Sequence, residues 1–152
     1  MTVRLMTTAI IKSPGMREQF REIRLLVSLT FPFDPVPASR PRVTKRGITY
    51  YAKSYKAWKR LAEHWMVRGT LNLDAATPLW VETEAIVRKP ETSRLDYPRG
   101  DVDNYAKGPL DAITNIGGYW KDDRQILCLV SSKRFAHRAE QPRTEVHIYA
   151  CV

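Results

Sequence analysis

The chain has 152 residues, enough for one compact domain whose buried core needs no disulfide or structural metal. Its 25 Lys and Arg against 16 Asp and Glu leave a net charge of +9, a surplus that suits a polyanionic partner because each neutralised phosphate releases condensed counterions. No apolar run approaches the roughly 18 residues of a membrane span. Met1 to Ser13 lacks a signal-cleavage pattern, and the scattered cysteines and histidines have no zinc-ligand spacing, so a soluble cytoplasmic protein is expected, with Cys128 and Cys151 as free thiols.

Residues 1–21 are ambiguous and read as an extension; the domain proper is expected over 22–152. From Glu22 to Phe31 the pattern alternates, with Ile23, Leu25, Val27, Leu29 and Phe31 on one face of a strand. Pro32, Pro35 and Pro37 then forbid regular pairing. Ala38 to Tyr55 reads as a basic loop with a short hairpin around Lys45-Arg46-Gly47. Ser54 can cap a helix to about Arg68, stopped by Gly69, with Trp58, Leu61, Ala62 and Trp65 as its apolar stripe. A strand follows over Leu79–Lys89, then a loop with Pro90 and Pro98. A helix over Asn104 to about Ile116 is stopped by Gly117-Gly118, and Gln125–Lys133 and Thr144–Val152 are the last strands. Four strands with two helices between them imply an α+β fold: a single small domain, a mixed sheet of about four strands with helices packed on it.

Two acidic groups stand out. In Gly100-Asp101-Val102-Asp103-Asn104, the two aspartates share one side if the backbone is extended. Two carboxylates brought together need a shared proton or a cation, and oxygen-only ligands suit Mg²⁺. Asp103 also sits where a helix N-cap belongs, a purely structural role that leaves Asp101 unexplained. Lys107 follows one turn later, then Asp111, a spacing that a solvated salt-bridged face explains equally well. Asp122-Asp123 is explained by turn chemistry when taken alone. If the chain returns beside Asp101, Asp123 completes a three-carboxylate site able to hold a divalent ion against a phosphodiester.

Between Ser39 and Ala62 lie eight basic residues (Arg40, Arg42, Lys45, Arg46, Lys53, Lys56, Lys59 and Arg60) and no acid. Tyr50, Tyr51, Tyr55 and Trp58 are interleaved, and helical spacing assigns Trp58 to the core. One-sided charge with aromatic rings suits phosphate contact and stacking on unpaired bases. No base-edge code is visible, which fits recognition of shape.

The run Asp101-Val102-Asp103-Asn104-Tyr105-Ala106-Lys107, then Leu110-Asp111-Ala112, then Trp120-Lys121-Asp122-Asp123-Arg124-Gln125, resembles the RusA-type Holliday junction resolvases of bacteria and their phages. Pro35-Val36-Pro37-Ala38-Ser39-Arg40-Pro41-Arg42 is similar to their Pro-x-Pro-x-x-Arg-Pro-Arg stretch, so the likeness spans roughly residues 22–150. The resemblance implies a homodimer that makes paired nicks across four-way DNA with Mg²⁺, or Mn²⁺ in its place, in a bacterial or phage-infected cell. It assigns Asp101, Asp103 and Asp123 as metal ligands and Lys107 as a catalytic lysine, and leaves Asp122 without a role. Arg40, Arg42, Lys45, Arg46, Lys53 and Lys56 are the expected DNA contacts. The competing expectations are a flap- or fork-directed nuclease, a non-catalytic basic DNA-binding module whose acids are caps and turns, and an interaction module of a phage assembly.

Overall fold

The structure, a computed structural model, describes residues 8–9, 20, 22–47 and 49–152. Among the described residues, seven strands and two helices occur in the order β1 (Thr8–Ala9), β2 (Ile23–Phe31), β3 (Arg42–Val43), β4 (Thr49–Tyr50), α1 (Lys53–Trp65), β5 (Leu79–Val87), α2 (Val102–Ile116), β6 (Ile126–Phe135) and β7 (Arg143–Cys151). A 3₁₀ turn, Asp123–Gln125, leads into β6. The main sheet runs β1-β2-β7-β5-β6, and β3 and β4 form a separate small hairpin. The α+β expectation is met: four long strands make the sheet, and β1 adds a two-residue edge. Most of the expected N-terminal extension lies outside the described residues.

Pairing is antiparallel from β1 through β7 to β5, but β5 and β6 are parallel. Parallel neighbours cannot be joined by a tight turn, so the chain crosses over through α2. This β5–α2–β6 unit determines where the acids lie.

Val27, Leu29 and Phe31 of β2 join Trp58, Ala62, Val81, Ile113 and Ile148 in the main core beneath the helices. Ile23 and Leu25 do not share that face, as the alternation alone suggests. A register shift between Leu25 and Val27 inserts an extra residue and reverses the side-chain alternation. Ile23 and Leu25 therefore pack with Trp80, Tyr149 and Cys151 on the other side of the sheet. Both cysteines are free; Cys151 is buried and Cys128 partly so, and burial pushes both thiols up from their ordinary pKa.

Helix α1 departs from the sequence expectation at both ends. Ala52, not Ser54, takes the N-cap position, with no side-chain cap bond; Ala52 N instead donates to Ser39 Oγ at 3.0 Å. The helix ends at Trp65, because the chain beyond it turns extended to run against the α2 terminus. Gly69 N donates to Gly117 O and Leu71 N to Gly118 O, each at 3.0 Å. A Cβ on Gly118 would lie 1.9 Å from Gly69 O, so only glycine allows this backbone approach. The buried stripe of α1 is Tyr55, Trp58 and Ala62, whereas Leu61 and Trp65 are 47% and 49% exposed.

Candidate active site and nucleic-acid interface

Helix α2 starts at Val102, so Asp101 rather than Asp103 occupies the N-cap position, and Asp103 falls in the first turn. Neither carboxylate caps the helix. Asp101 sits there in extended backbone with no side-chain cap bond, and among the described residues its Oδ2 accepts only a long 3.4 Å hydrogen bond from Asn104 Nδ2. Both aspartates are exposed, and neither forms an ion pair within 4 Å among the described residues. The helix N-terminus carries partial positive charge that favours anions beside it, which lowers the cost of holding the two acids together. Lys107, one turn on, is also exposed and has no ion-pair partner among the described residues. Pro109 is buried mid-helix.

The loop delivering Asp101 is pinned by two side chains. Tyr105 Oη donates to Arg99 O at 2.7 Å, and Lys133 Nζ of β6 donates to Pro98 O at 2.9 Å and to Gly100 O. Lys133 also stands over the Tyr97 ring, 5.7 Å from its centroid. Gly100 has φ of +91°, and a Cβ there would meet Pro37 at 3.1 Å, so a side chain at this position is disfavoured on two grounds. Sequence reasoning missed Lys133, because only the parallel pairing of β5 and β6 brings it beside this loop.

Asp123 lies elsewhere. It opens the 3₁₀ turn before β6, beside the segment entering β5: Gln125 Nε2 donates to Asp74 O at 2.9 Å and Thr77 O at 3.0 Å. The far end of β6 meets the start of α2, where Ser131 Oγ donates to Val102 O at 3.2 Å. The 15 residues of α2 at 1.5 Å each span about 22 Å. The Asp101–Asp103 pair and Asp123 thus sit at opposite ends of the crossover unit. The return path brings the chain beside the helix C-terminus, at the amino end of the parallel strand. Accordingly, among the described residues no three His, Cys, Asp or Glu side chains of one protomer form a metal-holding group.

Asp122 does what turn chemistry asks of it. Its Oδ1 accepts from Arg124 N at 2.8 Å, while Gln125 Oε1 accepts from Asp122 N at 3.2 Å, a reciprocal capping box. The Arg124 side chain and backbone donors hold its carboxyl below the usual range. Asp123 remains exposed, with no ion pair within 4 Å among the described residues.

The basic arm starts beside the Asp101 loop. Ala38 N donates to Asn104 O at 2.7 Å, anchoring the arm on the first turn of α2. The expected hairpin is present: Arg42 pairs with Tyr50 and Val43 with Thr49, turning through Gly47 at φ +78°. Arg40, Arg42, Lys45, Arg46, Lys53 and Lys56 are all exposed, and none forms an ion pair with a described residue. Trp58 is buried in the core, as its helical spacing implied; of the tyrosines interleaved with the charges, Tyr55 is buried and unavailable for stacking, while Tyr51 is exposed.

Pinned exposed acids beside a basic arm with no internal counter-charge suit a protein that works on a phosphate backbone. The family model Endodeoxyribonuclease RusA matches residues 32–149. The chain belongs to the RusA family. The match covers both acidic groups, Lys107 and the whole basic arm, so the likeness to RusA-type junction resolvases seen in the motifs holds. Nuclease activity on DNA is its class of chemistry, which counts against a non-catalytic binder or assembly module. A search of curated proteins gives no match. Among the described residues, no helix of this RusA-family chain is long and apolar enough to cross a membrane.

Proposed function

We propose that the chain is a divalent-metal-dependent endonuclease that resolves four-way DNA junctions by paired nicks, acting as a homodimer. The observation that carries this reading is the Asp101–Asp103 pair, exposed and, among the described residues, spared from capping and ion pairing, held beside an arm whose cations form no ion pair with those residues. The donor set fits Mg²⁺, with Mn²⁺ as substitute: the ligands are hard carboxylate oxygens with no sulfur or imidazole among them. Such an ion supplies an activated water and charge stabilisation at the phosphoryl group.

The chain's own residues do the rest. Arg40, Arg42, Lys45 and Arg46 hold the sugar–phosphate strand, and Lys53 and Lys56 add charge at the start of α1. No acid occupies that first turn, so the two lysines oppose the helix dipole, an arrangement that an external phosphate relieves. Lys107, one turn from Asp103, is placed to neutralise charge on a scissile phosphate or leaving oxygen. Asp123 reaches the pair from a second copy of the chain, because its own protomer holds it a helix length away. This is the reason for proposing the dimer.

Two variants and their mixture test the reading. Asp101→Asn and Asp123→Asn should each bind a four-way junction normally and cut it at least about 100-fold more slowly in Mg²⁺, since binding rests on the basic arm. Mixed subunits of the two variants should regain cutting of one strand. One of their two shared sites then contains both native acids. Full cutting by either single variant would refute the assignment, and failure of the mixture to recover would return Asp123 to its own protomer. A panel of flap, fork and linear substrates decides whether the junction is preferred.

A further inference from the structure

We infer that the cavity at the carboxyl ends of β5 and β6 receives one unstacked nucleobase of the strand being cut, so that an open branch point is sensed through a base free to enter. The inference rests on the nuclease reading above and adds how a branch is told from an intact duplex.

β5 and β6 run parallel and end together, with Val87 beside Phe135 in the register. The carboxyl ends of parallel strands are where sheets of this kind leave a crevice for ligands. The loop after β5 bounds that crevice as a cavity of about 370 Å³, at the small end of the roughly 300–1,000 Å³ of ligand pockets. Val87, Pro98, Tyr105 and Phe135 give it apolar and aromatic walls, and Thr92 and Ser93 add hydroxyl groups. A base offers the matching chemistry, with a π-face to lie against rings and apolar side chains and a polar edge for hydroxyls.

Charge and position select this occupant. Arg88 and Arg99 line the cavity, and among the described residues no acid does. Asp34 holds the Arg88 side chain at 3.0 Å, whereas Arg99 is exposed and forms no ion pair within 4 Å among the described residues. Arg99 precedes Asp101 by two residues, at most about 7 Å of extended chain, so a phosphate it holds lies next to the Asp101–Asp103 pair. Tyr105 joins the two places: it lines the cavity, and its Oη donates to Arg99 O at 2.7 Å. An occupant therefore lies against the side chain that steadies the Asp101 loop. The basic arm holds any sugar–phosphate backbone and cannot discriminate between DNA shapes by charge alone. Drawing a base from an intact duplex breaks both pairing and stacking, and at a branch, where stacking is already interrupted, it costs less. A filled cavity thus marks a branch.

The test reads base unstacking without metal, apart from cutting. Four-way junctions carry 2-aminopurine, a fluorescent base that brightens on leaving the stack, at each nucleotide around the exchange point in turn. On binding the wild-type chain, one position should brighten several-fold, and the same label in a linear duplex should stay dim. Thr92→Trp places a ring in the cavity from an exposed loop position. With its melting transition retained, it should lose the signal and bind the junction about 10-fold more weakly, with affinity for linear duplex unchanged. Brightening that persists in full in Thr92→Trp, or a bound junction that brightens at no position, would overturn the inference. A signal lost in Thr92→Trp, from a wild-type chain that never cuts in Mg²⁺, would support the pocket and refute the nuclease reading. Cutting by a wild-type chain that brightens no position would do the reverse.

Discussion

Lys133 shows how one side chain governs a site it does not line. Its ammonium donates to Pro98 O and Gly100 O, and charge-assisted bonds of this kind are about twice as strong as neutral ones. Removing them frees the loop that sets the Asp101 backbone, and a misplacement of about 1 Å near reacting atoms is enough to cost about 100-fold. Lys133→Met should therefore lower kcat by roughly 10- to 100-fold with KM for the junction changed little, because the basic arm is untouched. Lys133→Arg should recover much of the rate, since it restores a cation within reach of both carbonyls. Single-turnover cutting at saturating Mg²⁺ measures this; a loss confined to KM would mean that Lys133 acts on DNA binding instead. The acids were legible in the sequence because Asp-x-Asp followed by a helix pattern leaves few explanations for the first aspartate. Lys133 was not, because it occupies an ordinary position in an alternating strand and gains its role from a neighbour far away in sequence.

At the level of elements, the signals with strong periodicity were readable. β2, β5, α2, β6 and β7 lie within a few residues of their expected bounds, and glycine at Gly47 and Gly117 marked real turns. Failures came where tertiary contact overrides local pattern. The bulge in β2 divided an apparently uniform face between two clusters, and α1 stopped short because Gly69 was needed against Gly118. Tyr55 looked like part of a DNA-facing aromatic set and is instead a core residue; Trp58, assigned to the core by its helical spacing, lies there with it against Gly108, where an added Cβ would lie 3.0 Å from the Trp58 ring. The arm keeps its charges even after losing the Tyr55 ring. Each phosphate contact contributes about 0.9 to the slope of log K against log salt, so replacing Arg42 and Arg46 with alanine should reduce the slope by about 1.8. Junction affinity measured across a salt series checks this, and the loss should be uniform across junction sequences because these contacts position the strand without reading bases. An unchanged slope would remove the hairpin from the interface.

For the whole molecule, the parallel β5–β6 crossover was the decisive feature that the sequence left open. Periodicity marks strands but not their order or direction, so the separation of Asp123 from the Asp101–Asp103 pair emerged only from the topology. The same packing limits stability at alkaline pH through two tyrosines on opposite faces of the sheet. Burial, reinforced by Asp111 and Tyr51, pushes Tyr55 up to about 12 from the ordinary 10.0. Burial, reinforced by Glu82, likewise takes Tyr149 to about 12. In the unfolded chain both phenols lose their protons near pH 10, while the folded protein retains them. The folded state thus binds more protons between pH 10 and 12, and stability falls as pH rises through that window. The contribution is complete below pH 10, so neutral conditions suited to cutting leave it intact. Thermal melts followed with tyrosinate absorbance should show a melting temperature that declines steeply only above about pH 10. Tyr55→Phe and Tyr149→Phe should each make that decline shallower, and Tyr55→Phe should preserve stability at pH 7, because the Tyr55 hydroxyl is buried without a hydrogen-bond partner among the described residues. If the double variant declines as steeply as the wild type, burial of these phenols is not what limits the fold at high pH.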